Sequence, residues 1–293
     1  MRQSQASPGP ARGVLKSDLA AGAFEHGREL PAPELRHLIE HFWTVRWDLG
    51  DRSVEQETLP HPNVHLIFEC RFDGGASALT SSCGEIAGVH TGRFTRSLTG
   101  SARVFGVKFR PGGFQPFYGH PVSALRDRVT PSEAAFNSAL APISQALAQR
   151  CDMPDLIDCA NEILLALKPG TSPKALRAGE LVDMVRDQPA ILNVGMLADR
   201  ACATTRSMER LFATYVGVGA KWVIRRYRLQ EMVERLNASQ ALDLAQTAID
   251  LGYVDQAHLI NDFRDAVGVT PGQYRARVQK ALKQAAPLAE GDL

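Results

Sequence analysis

Apolar positions change period along this chain. Between about Phe42 and Phe109 they favour strands. Trp43-Thr-Val-Arg-Trp-Asp-Leu49 alternates with period two, while Val64-His-Leu-Ile-Phe-Glu-Cys70 and Arg103-Val-Phe-Gly-Val-Lys-Phe109 are short apolar runs bounded by turn-forming residues. The pattern predicts a small antiparallel sheet or barrel whose last strand ends at Pro111-Gly112-Gly113, the two glycines serving a turn. From 132 to 150 and from 154 to 167 apolar residues recur at three- and four-residue spacing, which predicts helices packed on that sheet, with dimer contacts as an alternative use. Lys168-Pro-Gly-Thr-Ser-Pro173 stacks breakers and small polar residues, so a linker is expected over 169–173. Beyond it the pattern is helical throughout, with helices expected near 174–187, 194–200, 205–216, 220–236, 241–251, 256–266 and 271–281. Asn193, Thr204 and Asp255 are N-cap candidates, and Thr270-Pro271 places a cap before proline at the first helical position.

Within the helical part the chain repeats itself. Ala198 to Val218 and Ala248 to Val269 share a small-residue turn, a second helix closing on Phe, and a Val-Gly-Val exit; 51 residues separate Phe212 from Phe263 and Gly217 from Gly268. A short helix, a tight turn and a second helix with one apolar and one exposed face make a helix-turn-helix. Two in tandem, joined by a basic helix, point to a protein that reads double-stranded DNA.

Formal charge is only +1 over 293 residues, so the argument rests on where cations sit. Arg200, Arg206, Arg210, Lys221, Arg225, Arg226 and Arg228 stand against a single acid, Glu209, between 200 and 228. Apolar content of 44% suffices for ordinary cores, and the length suits two domains. The five cysteines are odd in number and lack C-x-x-C spacing. They read as small buried apolar residues in a reducing compartment rather than as disulfides or a zinc site. No run approaches the ~18 apolar residues of a membrane span, and Met1 to Gly13 lacks the apolar core of a signal peptide. A cytoplasmic protein without a membrane partner is expected.

These features resemble the DNA-binding domain of the AraC/XylS family of bacterial transcription regulators. The likeness is carried by Leu197-Ala198, Thr204, Met208, Arg210, Phe212 and Gly217, by Arg228-Leu229 and Leu236, and by Gly252-Tyr-x-Asp-x-x-x-Leu-x-x-x-Phe-x-x-x-x-Gly-x-Thr-Pro-x-x-Tyr-Arg275. It implies that the connecting helix holds two recognition helices about one DNA turn apart; a helix of ~17 residues spans ~25 Å, approaching the ~34 Å repeat once side chains are added. With Met208 and Phe212 inward, Thr205, Arg206, Glu209 and Arg210 face the groove. Arginine can fork onto guanine O6 and N7, and Glu209 can accept from cytosine N4, orient an arginine, or pair with Arg206 along the helix. Lys221 and Arg225 are candidate phosphate contacts on the connecting helix. With Leu259 and Phe263 inward, Gln256, Ala257, His258, Ile260 and Asn261 remain for the second groove or its rim. Of these, Gln256, His258 and Asn261 are the candidate contacts. Many family members have arginine where this chain has Asn261, and an asparagine reads adenine N6 and N7 instead.

The region from about 30 to 125, with Leu59-Pro-His-Pro-Asn-Val-His-Leu-Ile-Phe68 and Val107-Lys-Phe-Arg-Pro-Gly-Gly-Phe114, is similar to the β-rich sensory domains of such regulators. That implies a scaffold for binding an effector, for dimerising, or for both. His61, His65, His90 and His120 with Glu69 match no recognised metal spacing, and no catalytic pair or activated nucleophile is visible. The expected organisation is α+β in two domains. A flexible N-terminus (1–29) precedes a β-rich sensory or oligomerisation domain with trailing helices (30–168); a tandem helix-turn-helix domain (174–281) and a flexible tail (282–293) follow the linker. The expected activity is sequence-specific transcription regulation without a catalytic site, metal or cofactor, by a monomer or homodimer. Double-stranded DNA is the partner, with RNA polymerase and a small-molecule effector as candidates. The rival readings are a metal-dependent β-barrel enzyme with a DNA-binding tail and a constitutive regulator whose N-terminal domain is only a dimerisation scaffold.

Overall fold

The structure, a computed structural model, describes residues 24–73, 78–167, 169–170, 172–238 and 242–285. Six strands, β1 (Phe24–Glu29), β2 (Ile39–Thr58), β3 (His65–Asp73), β4 (Ala78–Ala87), β5 (Phe94–Phe109) and β6 (Val129–Pro131), form one antiparallel sheet in the order β1-β2-β5-β3-β4-β6. The sheet is open, with β1 and β6 at its edges. Residues 24–29, expected in a flexible N-terminus, are instead a strand paired with β2 from Phe24↔Trp47 to Glu29↔Phe42. Residues 1–23, and most of the expected tail, lie outside the described residues.

Alternation sorts side chains to two faces. Phe42, Leu66, Phe68, Phe105, Val107 and Phe109 join one apolar core with the helices that follow, whereas Trp47, Leu49, Ile67, Leu98, Ala102 and Val104 form a second core on the opposite face. Trp43 joins that second core and lies so close over Gly106 that a Cβ there would overlap the indole ring. The β2–β5 ladder shifts register between Asp48 and Ser53, where Gly50 takes a positive φ of 53°.

The helices are α1 (Gln115–Tyr118), α2 (Glu133–Phe136), α3 (Ala141–Ala148), α4 (Met153–Ala166), α5 (Pro173–Asp187), α6 (Val194–Arg200), α7 (Thr205–Tyr215), α8 (Ala220–Ala238), α9 (Leu244–Asp250), α10 (Gln256–Val267) and α11 (Pro271–Ala285). The single helix expected over 132–150 is broken into α2 and α3, because Asn137 adopts φ 49° and turns the chain. Beyond 172 the elements follow the sequence pattern closely. Ser172, Asn193, Thr204, Asp243 and Asp255 each accept a hydrogen bond from a backbone N–H in the first turn of the helix they open. Thr270 and Gln273 cap α11 reciprocally.

The breaker-rich stretch joins α4 to α5 but does not separate two cores. One continuous core runs from Leu35 in the sheet domain to Ile224 in α8, taking in Ala178, Leu181, Leu197, Met208 and Phe212; a second gathers residues from Leu229 to Tyr274 around the C-terminal unit and admits Leu59 of the sheet domain. The packing border therefore crosses the middle of α8. The Pro111-Gly112-Gly113 turn is part of this fusion: Gly112, at φ 85°, lies against the Ala175 carbonyl of α5, and Gly113 against the Leu38 carbonyl. Those glycines serve close backbone approach as well as the turn. All five cysteines are free thiols; Cys70 is buried as expected, but Cys83 and Cys202 are exposed. Among the described residues no helix is long and apolar enough to cross a membrane.

Candidate nucleic-acid interface

α6 and α7 form one helical pair, and α9 and α10 repeat its turn bond, its second-helix cap and its buried anchors around a turn one residue longer. In the first turn the Ala203 amide donates to the Ala198 carbonyl at 2.9 Å; in the second the Tyr253 amide donates to the Ala248 carbonyl at 2.8 Å. Ala198 and Ala248 are both buried, each in the same apolar core as the anchors of the helix that follows it. Cys202 (φ 49°) and Gly252 (φ 72°) hold the left-handed position of the two turns. Thr204 accepts from the Ser207 amide at 3.2 Å and Asp255 from the His258 amide at 2.7 Å, so α7 and α10 begin with equivalent caps. Met208 and Phe212 in α7, and Leu259 and Phe263 in α10, are fully buried, and Gly217 (φ 98°) and Gly268 (φ 83°) let the chain leave each helix.

Anchored in this way, the two helices leave equivalent positions exposed: Thr205, Arg206, Ser207 and Arg210 on α7 stand where Gln256, Ala257, His258 and Asn261 stand on α10. Arg206 and Arg210 are engaged by no other described residue. Glu209 is half-buried and its carboxylate leans back against Gly219 at the start of α8 rather than pairing with Arg206. The His258 ring packs edge-on to Tyr253 at 5.2 Å, and the Asn261 carbonyl accepts from Arg264 at 3.0 Å, leaving its amide group available. Lys221 is exposed on the first turn of α8.

Residues 197–277 match a family model described as a helix-turn-helix domain, which spans both pairs and the connecting helix. Residues 197–277 thus form a helix-turn-helix domain of the AraC type. Residues 28–131 match a second family model, described as a domain of unknown function, which covers the sheet. No curated protein matches the chain. Among solved structures, the chain is similar to the C-terminal domain of AraT, a response regulator from Geobacillus stearothermophilus, at 21% identity over 36% of this chain and 86% of that one, with a TM-score of 0.32. It is also similar to ToxT from Vibrio cholerae bound to (E)-4-(8-methylnaphthalen-1-yl)but-3-enoic acid, at 10% identity over 87% of this chain and 99% of that one, with a TM-score of 0.39. A further ToxT structure, with bound unsaturated fatty acid, is 12% identical over 87% and 95%, with a TM-score of 0.35. Likenesses at that level place no ligand on this chain.

The AraC-type domain differs from the sequence expectation in how its connecting helix uses its arginines. Arg225, expected as a phosphate contact, forms an ion pair with Asp262 of α10, a buried carboxylate that also accepts from the Tyr253 hydroxyl at 2.7 Å. Arg228 donates to the carbonyls of Leu251 and Gly252 at 3.0 and 3.2 Å and lies 4.8 Å over the Tyr253 ring. Arg226 is 3% exposed and turned toward the sheet domain, where it donates to the Thr91 carbonyl at 3.0 Å. All three sit at the packing border across α8, which explains their engagement: the border is where α8 must be tied to both neighbours.

The sheet domain reaches both helical pairs. Val122 packs over Gly217 beside the exit of α7, Arg93 lies against Gly268 at the exit of α10, and Leu59 enters the apolar core of the second unit. The histidines and Glu69 considered as metal ligands do not converge on one site. Glu69 is buried and paired with Arg71 at 2.7 Å and with Arg96, His65 meets Trp43 edge-on, His90 packs on Phe94, and His120 on Tyr118. Among the described residues no three His, Cys, Asp or Glu side chains are grouped to hold a metal ion.

Proposed function

We propose that the chain is a transcription regulator that reads two major-groove sites, with α7 in one and α10 in the other. The observation that carries this reading is the equivalence of the two units: the same cap, turn bond, left-handed residue and buried anchors present the same first-turn positions outward. The 19-residue α8 spans ~28 Å, which suits successive grooves on one face of a duplex. Thr205, Arg206, Glu209 and Arg210 serve the first site, Gln256, His258 and Asn261 the second, and Lys221 a flanking phosphate. Arg225 acts through Asp262 on the placement of α10. The protein works as a regulator rather than an enzyme, in the cytoplasm, with RNA polymerase as its downstream partner.

For the sheet domain, a positioning or dimerisation scaffold is favoured over a small-molecule sensor by the packing of Trp43 and Trp47 across the face opposite the helices. A thermal-shift screen of small apolar acids, sugars and amino acids separates the two, since only a sensor is stabilised by a ligand.

The test of the main reading is selection of duplexes from a random pool by the full chain. Two short conserved blocks separated by about one helical turn are expected. Recovery of no sequence preference at moderate salt overturns the reading.

A further inference from the structure

A cleft of about 290 Å³ opens between α5 and α7, lined by Lys174, Arg177, Arg210, Thr214 and Tyr215 among others, with no carboxylate in its wall. The other prominent cleft, about 200 Å³ beside the Pro111 turn, is lined by Arg110 together with Glu180 and Asp183, so a cation-only wall is not general to this surface. Lys174 is exposed in the first turn of α5. Arg177 donates to the Ala201 carbonyl at 3.3 Å, which holds its guanidinium beside the α6–α7 turn; its pairing with Glu180 is exposed and contributes little.

We propose that this cleft takes a phosphodiester strand of the bound duplex, with Lys174 and Arg177 neutralising consecutive phosphates on one flank of the groove entered by α7. The proposal rests on the DNA-binding reading above and follows from three features. Arg210 borders both the cleft and the exposed face of α7, so a strand beside a groove-seated α7 passes the cleft mouth. On the connecting helix Arg226 is buried on the Thr91 carbonyl, while the partly exposed Arg225 and Arg228 are already paired with Asp262 and with the Leu251 and Gly252 carbonyls, which leaves phosphate charge to be met elsewhere. Finally, two cations with a threonine and a tyrosine hydroxyl, beside a turn of backbone, form the donor set that phosphate oxygens require.

The test compares the full chain with Lys174→Gln, Arg177→Gln and the double variant, on the selected duplex and on random duplex, across a salt series. Each substitution is expected to lower the slope of log K against log salt by about one unit and to weaken both duplexes equally. Ethylation of phosphates should interfere with wild-type binding at positions that no longer matter to the double variant. Should Arg177→Gln fold poorly, Lys174→Gln, whose side chain is exposed, decides the matter alone. An unchanged salt slope in a normally melting variant overturns the proposal, as does an altered base preference. If DNA binding is untouched while transcription with purified RNA polymerase is lost, the cleft belongs to an acidic protein surface and the proposal fails. Absence of sequence preference in the wild type would instead count against the DNA-reading assignment itself.

Discussion

Arg226 donates from Nη2 to the carbonyl oxygen of Thr91, 135 residues earlier in the chain, at 3.0 Å. The same carbonyl accepts from Trp222 Nε1 at 3.3 Å, and the guanidinium lies 4.8 Å over the Trp222 ring. Burial, followed by the neighbouring Arg225, brings the Arg226 guanidinium down to about 10. A cation is thus buried on a carbonyl and an aromatic face, at the point where α8 passes from one core to the other. Such an arrangement contributes orientation more than stability. The Thr91 loop is itself held by Asp127, which accepts from the Thr91 amide at 2.6 Å and from its hydroxyl at 2.9 Å. Asp127→Ala should therefore free the loop without touching either recognition helix. The expected outcome is binding to duplexes whose two half-sites are moved a few base pairs from the preferred spacing, which wild type rejects. Binding titrations on a spacing series check this; an unchanged spacing profile would show that the sheet domain does not orient the second unit.

Arg206 and Arg225 should separate cleanly. Arg206 is exposed in the first turn of α7, so Arg206→Ala is expected to cost ~1 to 3 kcal/mol of binding and to relax preference at one or two base pairs. Arg225→Ala removes the charged partner of Asp262 and should cost ~1 to 3 kcal/mol of folding stability, with loss of the second block of the recognition sequence. Titrations on single-base variants, paired with urea unfolding, measure both. A preserved second block in the Arg225 variant would remove the positioning role.

Local chemistry made the C-terminal half legible. Caps at Asn193, Thr204 and Asp255, the Gly252 turn and the Phe212/Phe263 anchors are short-range signals, and the helices form where those signals stand. The sheet was less legible. β1 and β4 carry mostly exposed or half-exposed side chains and so lack a clear apolar alternation; their pairing is decided by β2 and β3. The duty of the arginines could not be read at all from spacing. Arg226 finds its acceptor in a loop far away in sequence, and Asp262 looks from its neighbours like any exposed helix acid. Lys174 and Arg177 left a fainter trace, a cationic i,i+3 pair just beyond the Ser172 cap.

Acid should weaken the fold through His65. Burial first, and the Lys108 ammonium second, hold its imidazole at about 3, among Glu40, His41 and His61. The native state thus keeps His65 neutral while the unfolded chain takes up a proton below about 6.5. Stability present at neutral pH is then lost progressively as pH falls from 6.5 toward 3. Replacing His65 by Gln should flatten that loss, as read by urea unfolding at several pH values between 7 and 4. Parallel pH profiles for wild type and variant would place the acid sensitivity elsewhere, the Glu40–Lys108 pair being the next candidate.

The two units differ at one strained position. Cys202 occupies the left-handed turn at φ 49° where the second unit has Gly252 at φ 72°. A side chain in that region costs ~1 to 2 kcal/mol, whereas glycine there forfeits only ~0.5 to 1 kcal/mol through the greater freedom of the unfolded chain. Cys202 is exposed, so its thiol adds little packing to offset the strain. Cys202→Gly is accordingly expected to raise unfolding free energy by about 0.5 to 1 kcal/mol and to leave DNA affinity unchanged, because the turn geometry is kept. The reciprocal change, Gly252→Ala, should destabilise, since its Cβ would meet the Leu192 side chain at 2.8 Å and take on the left-handed cost as well. Urea midpoints for both variants, measured beside wild type, decide the matter. A destabilised Cys202→Gly protein would mean that the thiol does structural duty in the first turn, and that the two units are not equivalent there.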